Sequence, residues 1–335
     1  MVVLILSSAS DPHAAAVAKH LEEMGATHRI WHYSQLLHAS AVSFSRAAGL
    51  SANRITVEEQ EEIALSDLQS IWCRRPGGFK SPRMPETWIE SMVEMECKNA
   101  VGGLIRSMDC LLVNHPGSDS ESLFKLSQLN AAQKLGLSIP PTLVTTEPEK
   151  AREFYEQFDG NVIYKLIGEN TNFLFPRFEF PAGIPTMALR ETDSQYFEQV
   201  KLAPHLFQQR IEKIFEVRAT VVGEEIFAVR IDSQKGQSKT DWRLDYSVPM
   251  TAITLPDQVS NHCLEMMRHF SLNYAAFDFC VGTEEQYIFL ELNCAGQYLW
   301  LEDRANLPIS RQLAKLLTGK AKPIVAAGKN ADKVI

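Results

Sequence analysis

The sequence of 335 residues has no Cys-x-x-Cys, and its six cysteines (Cys73, Cys97, Cys110, Cys263, Cys280, Cys294) are scattered, mostly among apolar neighbours. That argues against a zinc ribbon and a dithiol redox motif, and for a reduced, cytoplasmic setting. The opening apolar run, Val2 to Leu6, falls far short of the ~20 residues a membrane helix needs. It lacks the basic flank and small-residue cleavage site of a signal peptide. Positive charge is also in deficit: Lys and Arg total 33 against 41 Asp and Glu, a net charge of −8, which argues against nucleic acid as the main partner. There is no repeat and no low-complexity block. What is present is 45% hydrophobic and 22% charged, the range of ordinary globular chains. At roughly 150 residues per domain, the length favours two or three domains.

The first part reads as alternating strands and helices. Val2–Leu6, Arg29–Tyr33, Ser70–Arg74 and Cys110–Asn114 are strand candidates. Asp11-Pro12 opens a helix that Gly25 ends, and Pro85–Arg106 reads as a long helix with Trp88, Met92, Met95 and Leu104 at helical spacing. His115-Pro116-Gly117 closes this parallel α/β segment. A helix over Ser120–Leu135 follows, stopped by Gly136; then come a strand over Thr142–Thr145, a helix over Glu147–Phe158 and a strand over Asn161–Ile167, a small α+β lobe. The third part is strand-rich: Leu206–Ile211, Glu216–Val222, Glu225–Asp232 and Tyr246–Ile253, with a hairpin at Val222-Gly223-Glu224. A helix over Pro256–Leu272, strands over Ala275–Val281 and Gln286–Asn293, and a helix over Asn306–Leu317 complete it. The residues after Gly319 read as a loose tail.

Three local signals carry chemistry. In IFLELNCAG (288–296), residues two apart share a strand face, so Glu291 and Asn293 point the same way. Two oxygen ligands on one face suit a hard cation such as Mg²⁺. The preceding strand, YAAFDFCV, holds Asp278 as its one acid. A carboxylate in such a run is costly unless paired or metal-bound, so Asp278 either shares a cation with Glu291, caps a turn, or pairs with a buried Arg. Lys165 in NVIYKLIG and Lys125 in ESLFKLSQLNAA sit on apolar elements; each either faces phosphate as a point charge or snorkels to solvent. In residues 207–234, Glu216 with Arg218 and Arg230 with Asp232 recur at period two, which is either a functional face or a solvated one.

Together these signals, from about Ser120 to Leu317, resemble the ATP-grasp superfamily. The resemblance implies an ATP-grasp fold, mixed α/β and α+β, behind an N-terminal parallel α/β (pre-ATP-grasp) domain. The implied boundaries are 1–118, 119–204 for the central lobe, 205–320 for the C-terminal lobe with the metal site, and 321–335 for the tail. It implies ATP and Mg²⁺ as cofactors. Lys125 and Lys165 would bind ATP phosphates, Gln208, Gln209, Arg210 and Ile211 adenine, and Glu216 the ribose or the nucleotide. Asp278, Glu291 and Asn293 would hold Mg²⁺, with Arg230 near the transferred phosphate. The loop after Lys165, GENTNFLF, departs from the Gly-rich flap of many members.

Three further strings are similar to those of the microviridin-type (graspetide) peptide ligases: IWCRRPGGF (71–79), Asp241-Trp242-Arg243 and ELNCAGQYLWLE (291–302). That likeness implies a precursor peptide, leader plus core, as partner, a homodimer, and no nucleic acid or membrane. A peptide side-chain carboxylate would be phosphorylated by ATP, then attacked by a Ser or Thr hydroxyl or a Lys amine to close an ω-ester or ω-amide ring. Arg243 would clamp the carboxylate, and Asp241 would orient Arg243 or help deprotonate the nucleophile. The rivals are a ligase that adds a free amino acid, as the glutamate ligases do, and an inactive peptide-binding relative.

Overall fold

The structure, a computed structural model, describes residues 1–8, 10–45, 53–57, 61–168, 185–237 and 239–328. The first stretch alternates as its pattern requires: β1 (Val2–Leu6), α1 (Pro12–Glu23), β2 (Thr27–Trp31). Asp11 caps α1 by accepting from the His13 N–H, and Pro12 takes the first helical position. Three short strands then form a separate antiparallel sheet that the sequence reading lacks: β3 (Ala41–Ser43), β4 (Arg54–Val57) and β5 (Glu61–Ala64). Next come β6 (Leu68–Cys73), α2 (Thr87–Arg106) and β7 (Leu111–Val113), giving a parallel sheet of order β2-β1-β6-β7. On α2, Val101, Leu104 and Ile105 are buried, whereas Trp88, Met92 and Met95 are exposed.

The single helix expected over 120–135 is two: α3 (Pro116–Ser122) and α4 (Lys125–Lys134). His115-Pro116-Gly117 is not a closing turn. It starts α3, with the His115 ring accepting from the Gly117 N–H. Phe124 is extended, so Lys125 stands at the first turn of α4. Then follow β8 (Thr142–Thr145), α5 (Pro148–Gln157), β9 (Val162–Lys165), β10 (Met187–Ala188) and β11 (His205–Gln209). Their antiparallel sheet, β10-β9-β11-β8, packs on a small core of Ala151, Val162, Phe197, Val200 and Phe207.

The third sheet has order β14-β13-β12-β15-β16, built from β12 (Lys213–Val222), β13 (Glu225–Ile231), β14 (Met250–Ile253), β15 (Tyr274–Gly282) and β16 (Tyr287–Asn293), with α6 (Asp257–His269) between β14 and β15. β14 starts later than expected because the chain turns at residues 246–248, with the Ser247 N–H and Oγ donating to Asp245 Oδ1. The last helix starts later than expected, and a helix the sequence reading lacks precedes it: α7 (Leu299–Ala305) ends at Asn306, in the left-handed region at φ 52°, and α8 (Ile309–Leu317) follows. The β12–β13 hairpin turns at Gly223, φ 59°, where a Cβ would lie 2.4 Å from the Lys322 carbonyl oxygen.

The mixture of parallel α/β and antiparallel α+β parts is the fold class the resemblance implied. One core joins the first part to the third: Val3, Ile5, Val17 and Leu21 pack with Val222, Val229, Leu313 and Leu316. Hydrogen bonds stitch the same seam. Ser70 Oγ donates to the Leu317 carbonyl. The Asn114 side chain donates to the carbonyls of Tyr274 and Cys294 and accepts from the N–H groups of Asn273 and Tyr274. The segment after Gly319 is not loose as far as it is described: Asn273 Oδ1 accepts from the N–H groups of Ile324 and Val325. Residues 329–335 lie outside the described residues. Among those described, no helix is long and apolar enough to cross a membrane.

Candidate active site

β15 and β16 run antiparallel with Asp278 opposite Glu291 and Ala276 opposite Asn293. Opposed residues share a face, so the two carboxylates and the amide lie together, as the period-two reading required. The register shifts beside Asp278, which leaves Leu290 as the bulged residue and Leu292 in the core. Arg218, on the adjacent β12 and opposite Asp278, donates from Nη1 to Asp278 Oδ2 at 2.6 Å. Lys125 Nζ donates to Glu291 Oε2 at 2.8 Å. Asp278 thus pairs with a buried Arg, one of its alternatives, while it faces Glu291 across the strands. Burial first, then the Glu291 charge, raises the Asp278 carboxyl above the usual carboxylate value, against the pull of Arg218. Burial would raise Glu291 too, but the charges of Lys125 and Lys165 bring it below its usual value.

Gln128 sets the Lys125 contact. Its side chain donates to the Leu292 carbonyl at 2.8 Å and accepts from the Leu292 N–H at 2.9 Å, clasping α4 to β16 as a neighbouring strand would. Lys165 ends β9 near the same carboxylate: burial lowers its ammonium from the usual value, and the Glu291 charge opposes that. In the hinge, Gln208 is buried on β11, its Nε2 donating to Thr142 Oγ1 while its Oε1 accepts nothing among the described residues. Gln209 ends the strand; Arg210 is exposed, its Nη2 donating to Asn161 Oδ1, and Ile211 follows outside the sheet. Glu216, on the face of Arg218, is buried 2.8 Å from Lys213 Nζ. Beyond Gly168, the flap residues up to 175 lie outside the described residues.

Asp241 and Arg243 form a two-pronged pair: Arg243 Nε and Nη2 donate to Asp241 Oδ1 and Oδ2 at 2.9 and 2.6 Å. Burial would raise the Asp241 carboxyl, yet the Arg243 contacts and the Thr186 N–H carry it below the usual value. An acid so held is a poor proton acceptor, so the geometry favours orientation over base catalysis for Asp241. Hydrogen bonding to Asp241 raises the Arg243 guanidinium, and the charges of Glu291 and Asp278 add to it, which places Arg243 within electrostatic reach of both.

Arg230 is a correction. It pairs with Val217 across β12 and β13, so it lies on the opposite face from Arg218 and Glu216. Its guanidinium stacks 4.0 Å from the Phe215 ring centroid and donates to Asp232. Arg218, paired with Asp278, is the arginine on the face of Glu291 and Asn293. Its signal was in the sequence, two residues from Glu216 on one strand face; Gln128, one glutamine in a polar helix, gave none.

The three strings meet at the turn after β16. Arg74 Nη1 donates to the Ala295 carbonyl at 2.5 Å. The Trp242 and Trp300 rings lie 4.8 Å apart, centroid to centroid. The first string thus contacts the third at Ala295, and the second contacts it at Trp300.

The residues fit a magnesium ion. Each carboxylate gives one oxygen to a cationic side chain, and its other oxygen accepts no hydrogen bond among the described residues. Asn293 Oδ1 accepts the Ala295 N–H at 3.0 Å and keeps a second lone pair. The described residues hold no cluster of three or more His, Cys, Asp and Glu. Two carboxylates and an amide are an all-oxygen set, which suits Mg²⁺ keeping several waters rather than zinc.

No protein-family model matches the chain, and no curated protein matches it. Solved structures do. The macrocyclase MdnC from Microcystis aeruginosa MRC, solved with precursor peptide MdnA, is 29% identical at a TM-score of 0.83, covering 95% of this chain and 100% of its own. A Chryseobacterium gregarium RiPP-associated ATP-grasp ligase, solved with ADP and a leader and core peptide, is 26% identical at a TM-score of 0.87, covering 97% and 99%. The ATP-grasp ligase PsnB, solved with a minimal precursor, Mg and ADP, is 21% identical at a TM-score of 0.75, covering 95% and 97%, and speaks to the fold alone.

Proposed function

We propose that this chain, which has the ATP-grasp fold, is an ATP- and Mg²⁺-dependent ligase that closes ω-ester or ω-amide rings in a ribosomally made precursor peptide. The observation that carries the reading is the face-to-face pair Asp278–Glu291 with Lys125 and Arg218 already on it and Arg243 in reach. Two half-buried carboxylates ringed by cations are built to exchange charge partners, and a metal–nucleotide pair brings both signs at once.

In this reading, Lys125 and Lys165 hold ATP phosphates, residues 208–211 hold adenine, and Glu216 holds the ribose. Asp278, Glu291 and Asn293 hold the magnesium, which when bound neutralises phosphate charge. Arg243, fixed by Asp241, clamps the peptide carboxylate through parallel hydrogen bonds. A carboxylate oxygen attacks the terminal phosphorus and ADP leaves. The peptide hydroxyl or amine then attacks the carbonyl carbon. The bond to phosphate breaks, inorganic phosphate departs and the nucleophile gives up its proton. Positioning and charge neutralisation supply most of such catalysis. Arg230, on the far face, has no part in it.

The three peptide-ligase strings meeting at residues 294–300 support a peptide substrate over a free amino acid. Six scattered cysteines, none in a disulfide among the described residues, support a cytoplasmic setting. The protein works as a homodimer, for which the exposed Trp88, Met92 and Met95 of α2 offer an apolar face. The deciding experiment incubates the protein with a precursor peptide rich in Thr and Glu/Asp, ATP and Mg²⁺, and counts waters lost by mass spectrometry. Ring closure loses one water per ring. A gain in mass by an added amino acid would point to the glutamate-ligase rival, and peptide binding without ATP turnover to the inactive one.

A further inference from the structure

Arg74 belongs to the N-terminal part by sequence, directly after β6, yet its side chain is spent on the third sheet. It is 3% exposed. Its Nη1 donates to the Ala295 carbonyl at 2.5 Å and lies 3.4 Å from the Gly296 carbonyl oxygen. The N–H of that same Ala295 donates to Asn293 Oδ1 at 3.0 Å. One residue therefore links the guanidinium to the candidate metal ligand. The far end of the turn is held from the same side: the Tyr298 N–H donates to His13 Nε2 at 3.2 Å. The His13 ring sits 3.3 Å from Asp11, and Asp11 sits 3.4 Å from Arg74 Nε. Between them the turn has no slack, since a Cβ on Gly296 would lie 2.6 Å from the Ala276 Cβ and 2.7 Å from Arg218 Nη2.

A stability role alone does not account for this arginine. Nε and Nη2 are buried and make no hydrogen bond among the described residues. Buried ion pairs with unsatisfied donors add little net stability, and an apolar side chain of similar size would serve the core better. The bond the arginine does make falls on the residue that orients Asn293. An asparagine amide rotates broadly about its last torsion, and a fixed hydrogen bond to its oxygen selects one orientation.

We propose that Arg74 is a positioning residue for the metal face: it fixes Ala295, and Ala295 fixes the Asn293 side-chain oxygen for a divalent cation shared with Asp278 and Glu291. This rests on the metal reading above. It gives the Trp-x-Arg-Arg-Pro string a task at the metal strand, about 220 residues away in sequence.

The test uses Mn²⁺ as the probe, with free Mn²⁺ read by electron paramagnetic resonance while the full chain is titrated in the presence of ADP. Arg74→Lys keeps a charge beside Asp11 but loses the planar fork. It is expected to lower Mn²⁺ affinity about 10–100-fold, the usual cost of losing an outer contact to a metal ligand, while ADP affinity without metal stays within about twofold. Asn293→Ala is expected to lose a similar factor, and the double variant no more than either alone, because both act through one ligand. Should Arg74→Lys fail to fold, Arg74→Ala with millimolar guanidinium is the second arm, and Mn²⁺ affinity that returns with guanidinium supports the proposal. Unchanged Mn²⁺ affinity in Arg74→Lys, losses that multiply in the double variant, or no return with guanidinium would overturn it. A wild-type protein that binds ADP but no Mn²⁺ would sink the metal reading itself, a separate result from a wild type that binds Mn²⁺ and an Arg74 variant that binds it equally well.

Discussion

The two faces of the five-stranded sheet come from the same strands, alternating residue by residue, yet they differ in kind. One face of β12 and β15 presents Phe215, Val217, Ala219, Val221, Phe277 and Phe279 to an apolar core. The other presents Glu216, Arg218 and Asp278, with Glu291 and Asn293 beside them on β16. The first is held together by burial of area, the second by charges that balance each other while crowded out of water. A sheet divided in this way keeps its fold and its chemistry on separate residues, so the two can be broken separately.

The largest effect expected is from Glu291→Ala. Removing it leaves Lys125 without its carboxylate and Asp278 without its partner across the strands. Ligation should fall by more than about 100-fold, while the far-ultraviolet circular dichroism and melting midpoint stay close to wild type. Wild-type turnover in this variant would refute the metal assignment. On the other face, Phe279→Ala should do the reverse. It removes a fully buried ring and should cost about 3–5 kcal/mol by urea unfolding, with ATP turnover largely kept well below the new midpoint. An unfolding loss under about 1 kcal/mol would mean the core collapses freely around the gap.

A smaller effect separates the faces by pH. The folded Asp278 carboxyl is raised, so the native state holds a proton that the unfolded state gives up, and metal-free stability falls as pH rises above the usual carboxylate value of 3.8. Asp278→Asn removes that contribution. Its urea midpoint, relative to wild type, should therefore improve between pH 4 and pH 7 even though ligation is lost. A constant difference between the two proteins would contradict the raised value. The smallest effect is Arg230→Ala, a charged residue on the apolar side that is half exposed. Ligation within about twofold and a stability change of at most about 1 kcal/mol are expected. A large ligation loss there would show that charge reaches across the sheet.

Arg230 also shows where the sequence misleads. Glu216 with Arg218 and Arg230 with Asp232 look alike, two charges at period two. Which pair faces the site depends on register, and the pairing of Val217 with Arg230 decides it only once the hairpin is formed. Asp278, Glu291 and Asn293 were legible because each departs from an apolar alternation that itself fixes the face. β3 to β5 were not, since strands of three or four residues carrying Ser, Arg, Thr and Glu leave no apolar run to count. The break before Lys125 was hidden too: Leu123-Phe124 carries no Gly or Pro to mark a stop, and the extended Phe124 sits where the Ser122 carbonyl accepts from Gln128 Nε2. The apolar spacing of Trp88, Met92 and Met95 correctly announced a helix but not which side would be covered.

The seam at Asn114 bears on synthesis. Its side chain is completed by backbone at Tyr274 and Cys294, 160 and 180 residues downstream. Ser70 waits longer, for the carbonyl of Leu317, 247 residues on. At about 5–20 residues per second, the first part of the chain leaves the ribosome and stands with that edge open for roughly 10–40 s before its partner exists. During that interval Val3, Ile5, Val17 and Leu21 lack part of the core they pack in when the chain is complete, including Val222, Val229, Leu313 and Leu316. Gene truncations that stop short of residue 317 would make the interval permanent, leaving a nascent chain whose natural fate is capture by chaperones or aggregation rather than a free-standing N-terminal domain.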